Sequence, residues 1–292
     1  MKERTKTYEE GDARGNWKFS FELSENPPLI SQYFISLEGE GSAVGEPSAY
    51  LRLAGCFSCH CTFCDTAFSQ ISKNSRFKEI GDRGITLDLA KQMETSQPHR
   101  LTITGGEPLH YLEWFPDIYR WIDSIAPTGI EFLGIESNGN LLQSRDICLE
   151  LISSFNEIIN EYSVTPTLTI SPKLDAATCY DNQMTQDEVD RMYMTAFKNV
   201  SEYLQPYDIY YKFIYDHTEE FIDFDHQQIF IDYLIDELNV KHRNILLMPF
   251  TPEDPLGSGK IFWNESKNAT SRKALKLGLT YSPRIHIDRE LD

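Results

Sequence analysis

Residues 54–66 read AGCFSCHCTFCDT and follow directly on a short apolar run. Four cysteines thus fall within nine positions, and so dense a cluster is typical of a metal site or a disulfide framework. The chain has only six cysteines in 292 residues. We read no leader ahead of them and therefore expect an intracellular metal centre rather than a secreted disulfide scaffold.

Two kinds of metal site fit the cysteine spacing. A structural zinc site would use two paired units, Cys56-x-x-Cys59 and Cys61-x-x-Cys64, which are the usual zinc arrangement. His60 alone separates these units, whereas a longer loop ordinarily separates the two halves of a zinc site. An iron–sulfur cluster would need three thiolates and leave one iron open for a cofactor. The cluster by itself leaves zinc and iron open, and its density disfavours the third alternative, a set of free thiols.

Length and composition indicate one globular domain. A chain of 292 residues exceeds the usual domain size, yet a barrel-like α/β domain often runs this long as one unit. The first residues are polar and include Pro27-Pro28, so we predict an N-terminal extension over residues 1–29 and a single domain over 30–292.

Charge and hydropathy limit the partners. No apolar run is long enough to span a bilayer. The 27 basic residues face 45 acidic ones, a formal net charge of −18, so a phosphate backbone would be repelled over most of the surface. We therefore expect a cytoplasmic protein that binds neither nucleic acid nor membrane.

Short β-rich runs alternate with helical patterns after residue 30. The predicted strands are Ala49–Leu53, Arg100–Thr104, Ile130–Ile135, Thr167–Ile170, Ile209–Tyr215 and Ile245–Met248. Helical spacing recurs at Phe115, Ile118, Tyr119, Ile122 and Ile125, and again at Phe230, Tyr233, Leu234 and Leu238. This alternation predicts an α/β fold of parallel βα units, closed or partly closed as a barrel.

Polar segments follow five of the six predicted strands. The active site of a parallel α/β barrel forms at the carboxyl ends of its strands. The segments are the cysteine cluster, Thr104–Pro108, Glu136–Gly139, Ser171–Lys173 and Pro249–Phe250. Each one alone could be an ordinary turn or loop, but five of them at one face predict a functional site.

Taken in order, these motifs resemble the radical S-adenosylmethionine (SAM) superfamily and, within it, the 7-carboxy-7-deazaguanine synthase (QueE-like) family. The resemblance extends from residue 35 to about residue 250. Its blocks are SLEGEG at 36–41, LRLAGC at 51–56, CTFCDT at 61–66, TGGEPL at 104–109, ESNG at 136–139 and SPK at 171–173. It implies the partial (β/α)6-type barrel of the radical SAM kind, here with an N-terminal extension and insertions.

The sequence departs from the family pattern at two places. The family mostly spaces its cysteines as Cys-x3-Cys-x2-Cys, whereas four residues separate Cys56 from Cys61 here and Cys59 is surplus. The flanking motifs assign Cys56, Cys61 and Cys64 as the ligands of a 4Fe–4S cluster. A C-terminal segment that helps to hold substrate in the family has no clear counterpart, and the nearest run is Ile285–Asp288.

The resemblance also implies the contacts of SAM, which would chelate the open iron through its amino and carboxylate groups. The backbone of Gly105 and Gly106 and the carboxylate of Glu107 would meet the methionine ammonium, because glycine permits close approach and an anion suits a cation. The other implied SAM contacts are Phe63, Ser137, Asn138, Ser171 and Lys173.

The implied reaction is a radical ring contraction of 6-carboxy-5,6,7,8-tetrahydropterin to 7-carboxy-7-deazaguanine, with loss of ammonia. SAM carries the radical, so no side chain is assigned as catalytic. Arg52 would grip the substrate carboxylate with a planar guanidinium, while Glu40 and Thr104 would contact the pterin. Thr66 would bind a substrate-held Mg²⁺ ion. A surface strand position for Arg52 and a helix cap for Thr66 are the alternatives.

The resemblance implies a flavodoxin or ferredoxin as electron donor and a homodimer. Two other functions stay open: another radical SAM enzyme, such as a glycyl-radical activase acting on a protein, or a non-catalytic, zinc-stabilised binding module. The Glu40 and Arg52 blocks favour the pterin enzyme over the activase, which has no use for a pterin pocket. Iron and sulfide analysis would separate either enzyme from the zinc module.

Overall fold

A sheet of nine strands forms the centre of the protein. The structure is a computed structural model, and it describes residues 7–8, 21–22, 26–56, 61–71, 74–127, 129–180, 184–220, 222–252 and 255–288. The strands are β1 Thr7–Tyr8, β2 Phe21–Glu22, β3 Leu29–Leu37, β4 Pro47–Leu53, β5 Lys78–Glu79, β6 Arg100–Gly105, β7 Phe132–Ser137, β8 Thr165–Ile170, β9 Asp208–Tyr215, β10 Ile245–Pro249 and β11 Thr280–Tyr281. The order across the sheet is β11-β10-β9-β8-β7-β6-β4-β3-β5. Strands β1 and β2 form a separate antiparallel pair.

Helices follow most of the parallel strands. They are α1 Arg83–Ser96, α2 Phe115–Asp123, α3 Arg145–Tyr162, α4 Ala176–Cys179, α5 Gln186–Tyr203, α6 Phe224–Asp232, α7 Lys260–Leu277 and α8 Ile285–Asp288. A π-helical turn over Tyr233–Glu237 continues α6. Both helical patterns predicted from spacing are thus confirmed, and none of the described helices is long and apolar enough to cross a membrane.

The six strands predicted from sequence are all present as the parallel strands β4 and β6 to β10. Strand β7 begins at Phe132 rather than at the predicted Ile130. The physical reason is that Tyr119 donates a hydrogen bond to the Ile130 carbonyl at 2.5 Å, while the Glu131 amide donates to the His99 carbonyl at 2.8 Å. These backbone groups are therefore used outside the ladder between β6 and β7.

Successive side chains along a strand point to opposite faces, and here they divide the sheet into an apolar and a polar face. One row of paired residues is buried throughout: Leu51, Ile103, Ile135, Leu168 and Ile209. The neighbouring row on the other face is Tyr50, Thr102, Gly134 and Thr167. The polar row lines the inside of the curled sheet, where the site forms.

The two ends of the sheet approach one another without pairing as strands. The loop after β3 meets the segment after β11: the Gly41 amide donates to the Ser282 hydroxyl at 2.8 Å, and the Ile285 amide donates to the Gly39 carbonyl at 2.9 Å. Glu40 in the same loop reaches Lys212 in the middle of β9. The sheet is therefore curled into a partial barrel, which confirms the fold prediction.

Strand β3 was not predicted. It pairs antiparallel with β4, from Ile30 opposite Leu53 to Leu37 opposite Pro47. The prediction rested on alternating strands and helices, and an antiparallel neighbour joined by a loop lies outside that repeat. β3 nevertheless delivers the Glu40 loop to the barrel, so the missed strand supports part of the predicted site.

Glu38 lies at the end of β3 and is 4% exposed. Thr102 donates a hydrogen bond to one of its carboxylate oxygens, and Tyr50 donates to the other at 2.6 Å. Burial raises the pKa of Glu38 more than these hydrogen bonds lower it, so the net pKa is above the usual value. The folded protein then binds a proton at Glu38 more tightly than the unfolded chain does. This contribution to stability is lost as pH rises through the pKa of Glu38 in the folded protein.

Replacing Glu38 with Gln should therefore stabilise the protein at pH 8 and make its stability depend less on pH above pH 5. We expect a rise in Tm of roughly 2–4 °C at pH 8, the shift that about 1 kcal/mol produces in domains of 150–250 residues. Thermal unfolding between pH 5 and pH 8 measures both effects, with the exposed Glu94→Gln as the control. If Tm changed with pH in the same way in wild type and Glu38→Gln, burial would not raise the pKa of Glu38.

Candidate functional site

The ends of β4 and β6 pack backbone against backbone at two glycines, Gly105 and Gly106. The Gly106 amide donates to the Leu53 carbonyl at 2.8 Å, and the Glu107 amide donates to the Gly55 carbonyl at 2.8 Å. A Cβ at Gly105 would collide with the backbone of Leu53, and one at Gly106 would collide with Gly55. Gly105 also has φ +116°, a conformation that favours glycine. These two glycines are thus required for the backbone packing that holds the cysteine loop against β6.

Glu107 connects the packed ends of β4 and β6 to the end of β7. Its carboxylate is 1% exposed and accepts hydrogen bonds from the Leu109 amide at 3.0 Å, the Ser137 hydroxyl at 2.7 Å and the Asn138 amide at 2.8 Å. Burial raises the pKa of Glu107, the three hydrogen bonds lower it, and the net change is an increase. A carboxylate has about four acceptor sites, so these three hydrogen bonds leave about one of them unused.

The ends of β7 and β8 continue the same face. The Ser171 amide donates to the Ser137 carbonyl at 2.8 Å, and Lys173 donates from Nζ to the Ser171 hydroxyl at 3.4 Å. Phe63, Pro172 and Lys173 line a cleft of about 470 Å³ that is open to solvent. The structure therefore brings the predicted residues Phe63 and Lys173 to one cleft beside Ser171.

The cysteine loop lies next to this cleft. Cys61 is buried, whereas Cys56 and Cys64 are partly exposed, and none of the three forms a disulfide within the described residues. The Cys56 amide donates to the Gln70 carbonyl at 3.0 Å, and Gln70 donates from its side chain to the Cys61 carbonyl at 3.1 Å. The surplus Cys59 lies outside the described residues.

The described part of the cysteine loop contributes three cysteines, Cys56, Cys61 and Cys64. Among the described residues, no three His, Cys, Asp or Glu side chains gather in a group that could hold one metal ion. A 4Fe–4S cubane spreads its thiolates over different irons, so its three ligands do not have to converge on one point.

Thr66 is not a helix cap in this structure. It precedes the 3-10 turn Ala67–Ser69, but its side chain makes no capping hydrogen bond to that turn. Its hydroxyl instead lies 3.7 Å from the Cys64 sulfur. The alternative proposed for Thr66 from sequence is therefore not observed, and its hydroxyl is left beside the cysteine loop.

Arg52 and Thr104 stand side by side in the register of β4 and β6. The Arg52 guanidinium lies over the Phe34 ring, 5.5 Å from its centroid. Its Nε is buried and has no hydrogen-bond partner among the described residues. Burial of an unpaired donor costs free energy, so Arg52 is a half-buried cation that is suited to an anionic ligand rather than an ordinary surface residue.

Glu40 lies between two cations that were not predicted. Lys212, whose side chain is 4% exposed, contacts Glu40 at 2.5 Å and Glu136 at 3.1 Å. Arg284 lies 3.1 Å from the other oxygen of Glu40. Burial alone would raise the pKa of Glu40, but the charges of Lys212 and Arg284 outweigh it and hold that pKa well below its usual value. Glu40 is therefore an ionised acceptor.

The sequence contained a signal for one of the missed residues but not for the other. Lys212 interrupts the run IYYKFIY at residues 209–215 of β9, and a single charge inside an otherwise apolar run indicates a special environment. Arg284 lies in an irregular segment after β11. No periodicity or motif connects that segment to residue 40, and only the fold brings them together.

Comparison with known proteins agrees with these motifs. The 7-carboxy-7-deazaguanine synthase of Halobacterium salinarum is 24% identical over 270 residues, which cover 90% of this chain and 91% of that protein. The enzyme of the same name from Hyperthermus butylicus is 26% identical over 263 residues, 88% and 91% of the two chains. This chain is similar to 7-carboxy-7-deazaguanine synthases over about nine-tenths of its length. The resemblance predicted from the sequence motifs is thereby confirmed.

Shorter and structural matches complete the comparison. The synthase of Rhodopirellula baltica is 36% identical over 99 residues, 34% of this chain and 33% of that protein. Among solved structures, QueE from Escherichia coli covers 88% of this chain and 93% of its own with 17% identity and a TM-score of 0.49. No family model matches the chain.

Proposed function

We propose that this protein is a 7-carboxy-7-deazaguanine synthase, a radical SAM lyase that contracts 6-carboxy-5,6,7,8-tetrahydropterin to 7-carboxy-7-deazaguanine with loss of ammonia. One observation carries the proposal beyond homology. The guanidinium of Arg284 contacts both Glu40 and Asp65, so the predicted pterin pocket directly adjoins the predicted cluster loop. A radical generated at that loop would meet a substrate held by Glu40 without leaving the barrel mouth.

Cys56, Cys61 and Cys64 would hold the 4Fe–4S cluster. With SAM bound, that cluster supplies a 5′-deoxyadenosyl radical when it receives an electron. The hydrogen bonds of the Cys56 amide and the Cys61 carbonyl to Gln70 hold the two ends of the loop to one residue. Reduction from outside requires a donor, which we propose to be a flavodoxin or a ferredoxin.

Glu107 would bind the ammonium group of SAM through its remaining acceptor site, supported by the backbone of Gly105 and Gly106. Charge attraction is strong here because the carboxylate is withdrawn from water. Its hydrogen bonds to Ser137 and Asn138 hold the ends of two strands in register for the same ligand. The remaining SAM contacts would come from Phe63, Ser137, Asn138, Ser171 and Lys173.

The pterin would lie between Glu40 and Arg52. Glu40 is ionised and accepts hydrogen bonds from the amino and ring N–H groups, whereas Arg52 offers a buried, unsatisfied donor to the carboxylate. Thr104 lies next to Arg52 in the sheet and would contact the ring. Thr66 would supply one oxygen ligand to a substrate-bound Mg²⁺. We further propose a cytoplasmic homodimer that acts on this small molecule and on no nucleic acid.

Alanine at each cysteine in turn should identify the cluster ligands. Anaerobic reconstitution should load about four irons in wild type and in Cys59→Ala, and the bound iron should fall sharply in Cys56→Ala, Cys61→Ala and Cys64→Ala because each removes one thiolate. Iron and sulfide analysis together with zinc analysis gives the measurement. Loss of iron in Cys59→Ala with retention in Cys56→Ala would reverse the assignment, and stoichiometric zinc without sulfide would favour the binding module.

Glu107→Ala should weaken SAM binding roughly tenfold to a hundredfold, because hydrogen bonds to a charged group contribute about 1.5–3 kcal/mol. Equilibrium dialysis with reconstituted protein measures the SAM Kd, and cluster content is checked in the same samples. Ser137→Ala is the comparison variant: it removes one hydrogen bond to Glu107 and one proposed SAM contact but leaves the Glu107 charge, so a smaller effect is expected. An unchanged Kd in a cluster-replete Glu107→Ala protein would remove this residue from the SAM site.

Arg52→Lys should lower turnover of carboxytetrahydropterin sharply, because lysine keeps the charge but loses the planar fork. Cluster content and slow, substrate-free cleavage of SAM should survive. Mg²⁺ should stimulate wild type, and Thr66→Val should blunt that response by removing one oxygen ligand. Anaerobic assays with mass-spectrometric detection of carboxydeazaguanine measure these effects. A cluster-replete wild type that cleaves SAM and forms no carboxydeazaguanine would refute the proposed function.

A further inference from the structure

We propose that Arg284 is a positioning residue that ties the Glu40 loop, residues 38–46, to the second part of the cysteine loop, residues 61–71. The proposal rests on the proposed function, since it assigns Arg284 to the pocket for the pterin and its metal ion. Arg284 reaches both loops from the segment after β11, at residues 282–284. It thereby connects two parts of the site that are far apart in sequence.

The contacts of Arg284 show that it acts on the chain itself. The residue is 7% exposed. Its Nη1 donates to the Thr251 hydroxyl at 2.6 Å, its Nη2 donates to an Asp65 carboxylate oxygen, and its Nε lies 3.1 Å from Glu40. Each of the three nitrogens thus faces an oxygen of the protein. Arg284 is therefore placed to orient Glu40 and Asp65 rather than to bind the substrate directly.

Arg52 is the informative contrast. The Nε atoms of both arginines are buried without a hydrogen bond within the described residues, but that of Arg284 lies 3.1 Å from a Glu40 oxygen. Arg52 forms no ion pair with any described residue. One arginine is therefore engaged by protein carboxylates, and the other has donor capacity for an external anion. This difference separates the positioning role of Arg284 from the substrate-binding role of Arg52.

The segment that carries Arg284 is docked on the Glu40 loop from both sides. Ser282 accepts a hydrogen bond from the Gly41 amide at 2.8 Å, and the Ile285 amide donates to the Gly39 carbonyl at 2.9 Å. The imidazole of His286 occupies the space that a Cβ of residue 39 would need, so glycine is required at that position. These contacts fix the direction from which the guanidinium enters the site.

Removing Arg284 should affect both loops at once. Glu40 would keep only Lys212 as a close cation, and Asp65, which immediately precedes the proposed Mg²⁺ ligand Thr66, would lose its ion pair. We expect the pterin KM to rise roughly tenfold or more, because a charge-assisted hydrogen bond is lost, and the Mg²⁺ concentration for half-maximal activation to rise as well. Substrate-free SAM cleavage should change less than the pterin KM and less than the Mg²⁺ requirement.

The experiment compares Arg284→Gln, Arg284→Lys and Lys267→Met. Lys267 pairs with Asp288 at 2.6 Å and so anchors the same C-terminal segment without touching Glu40 or Asp65. Hydrogen–deuterium exchange of residues 38–46 and 61–71 requires neither SAM nor pterin. Exchange should accelerate in both loops in Arg284→Gln, recover in part in Arg284→Lys, and stay at the wild-type rate in Lys267→Met. Thermal unfolding of each variant controls for global destabilisation.

The outcomes separate this proposal from the proposed function. Wild-type exchange at either loop in Arg284→Gln overturns the positioning role, as does the same acceleration in Lys267→Met. Unchanged pterin KM and Mg²⁺ response in Arg284→Gln, where wild type is active, also overturn it. A wild type that converts no pterin, combined with acceleration confined to Arg284→Gln, refutes the proposed function and supports the link between the two loops. Asp65→Asn should reproduce the faster exchange of residues 61–71, which keeps the test valid if Arg284→Gln folds poorly.

Discussion

The ion pairs of Lys212 are the constraint on which the site depends. An ammonium group that is withdrawn from water is tolerated only when it is paired, and removal of one partner from a buried pair costs about 3–5 kcal/mol. Lys212 satisfies this requirement through Glu40 and Glu136, which come from the loop after β3 and the end of β7. The need to pair one buried charge therefore fixes the Glu40 loop inside the barrel.

This charge network explains why the inner face of the sheet is polar. Glu38, Thr102 and Tyr50 form hydrogen bonds inside the barrel, and burial raises the pKa of Glu38. Apolar side chains there would pack at lower cost, since buried ion pairs seldom add net stability. What the polar interior provides is a set of oriented acceptors and cations that exist before any ligand binds. Such preorganisation lowers the cost of binding a small, polar molecule.

The other half of the site depends on backbone packing rather than charge. Gly105 and Gly106 allow the end of β6 to lie directly against Leu53 and Gly55, and Glu107 then joins this unit to Ser137. Any side chain at the two glycines would separate the cysteine loop from the strand ends. The two halves meet at Asp65 and Arg284, where the cysteine loop and the segment after β11 come into contact.

The sequence by itself determined six of the parallel strands, β4 and β6 to β10, and the order of the polar segments that follow them. Strand periodicity and motif spacing are local properties, so Leu51-Arg52-Leu53 and Thr104-Gly105-Gly106-Glu107 could be placed at strand ends before any coordinates were known. Only the tertiary structure decided which distant residues share the site. Strand β3 lies outside the βα repeat, and Arg284 is 219 residues from Asp65. Pairing between charges so far apart depends on the curl of the sheet, and no local pattern encodes that.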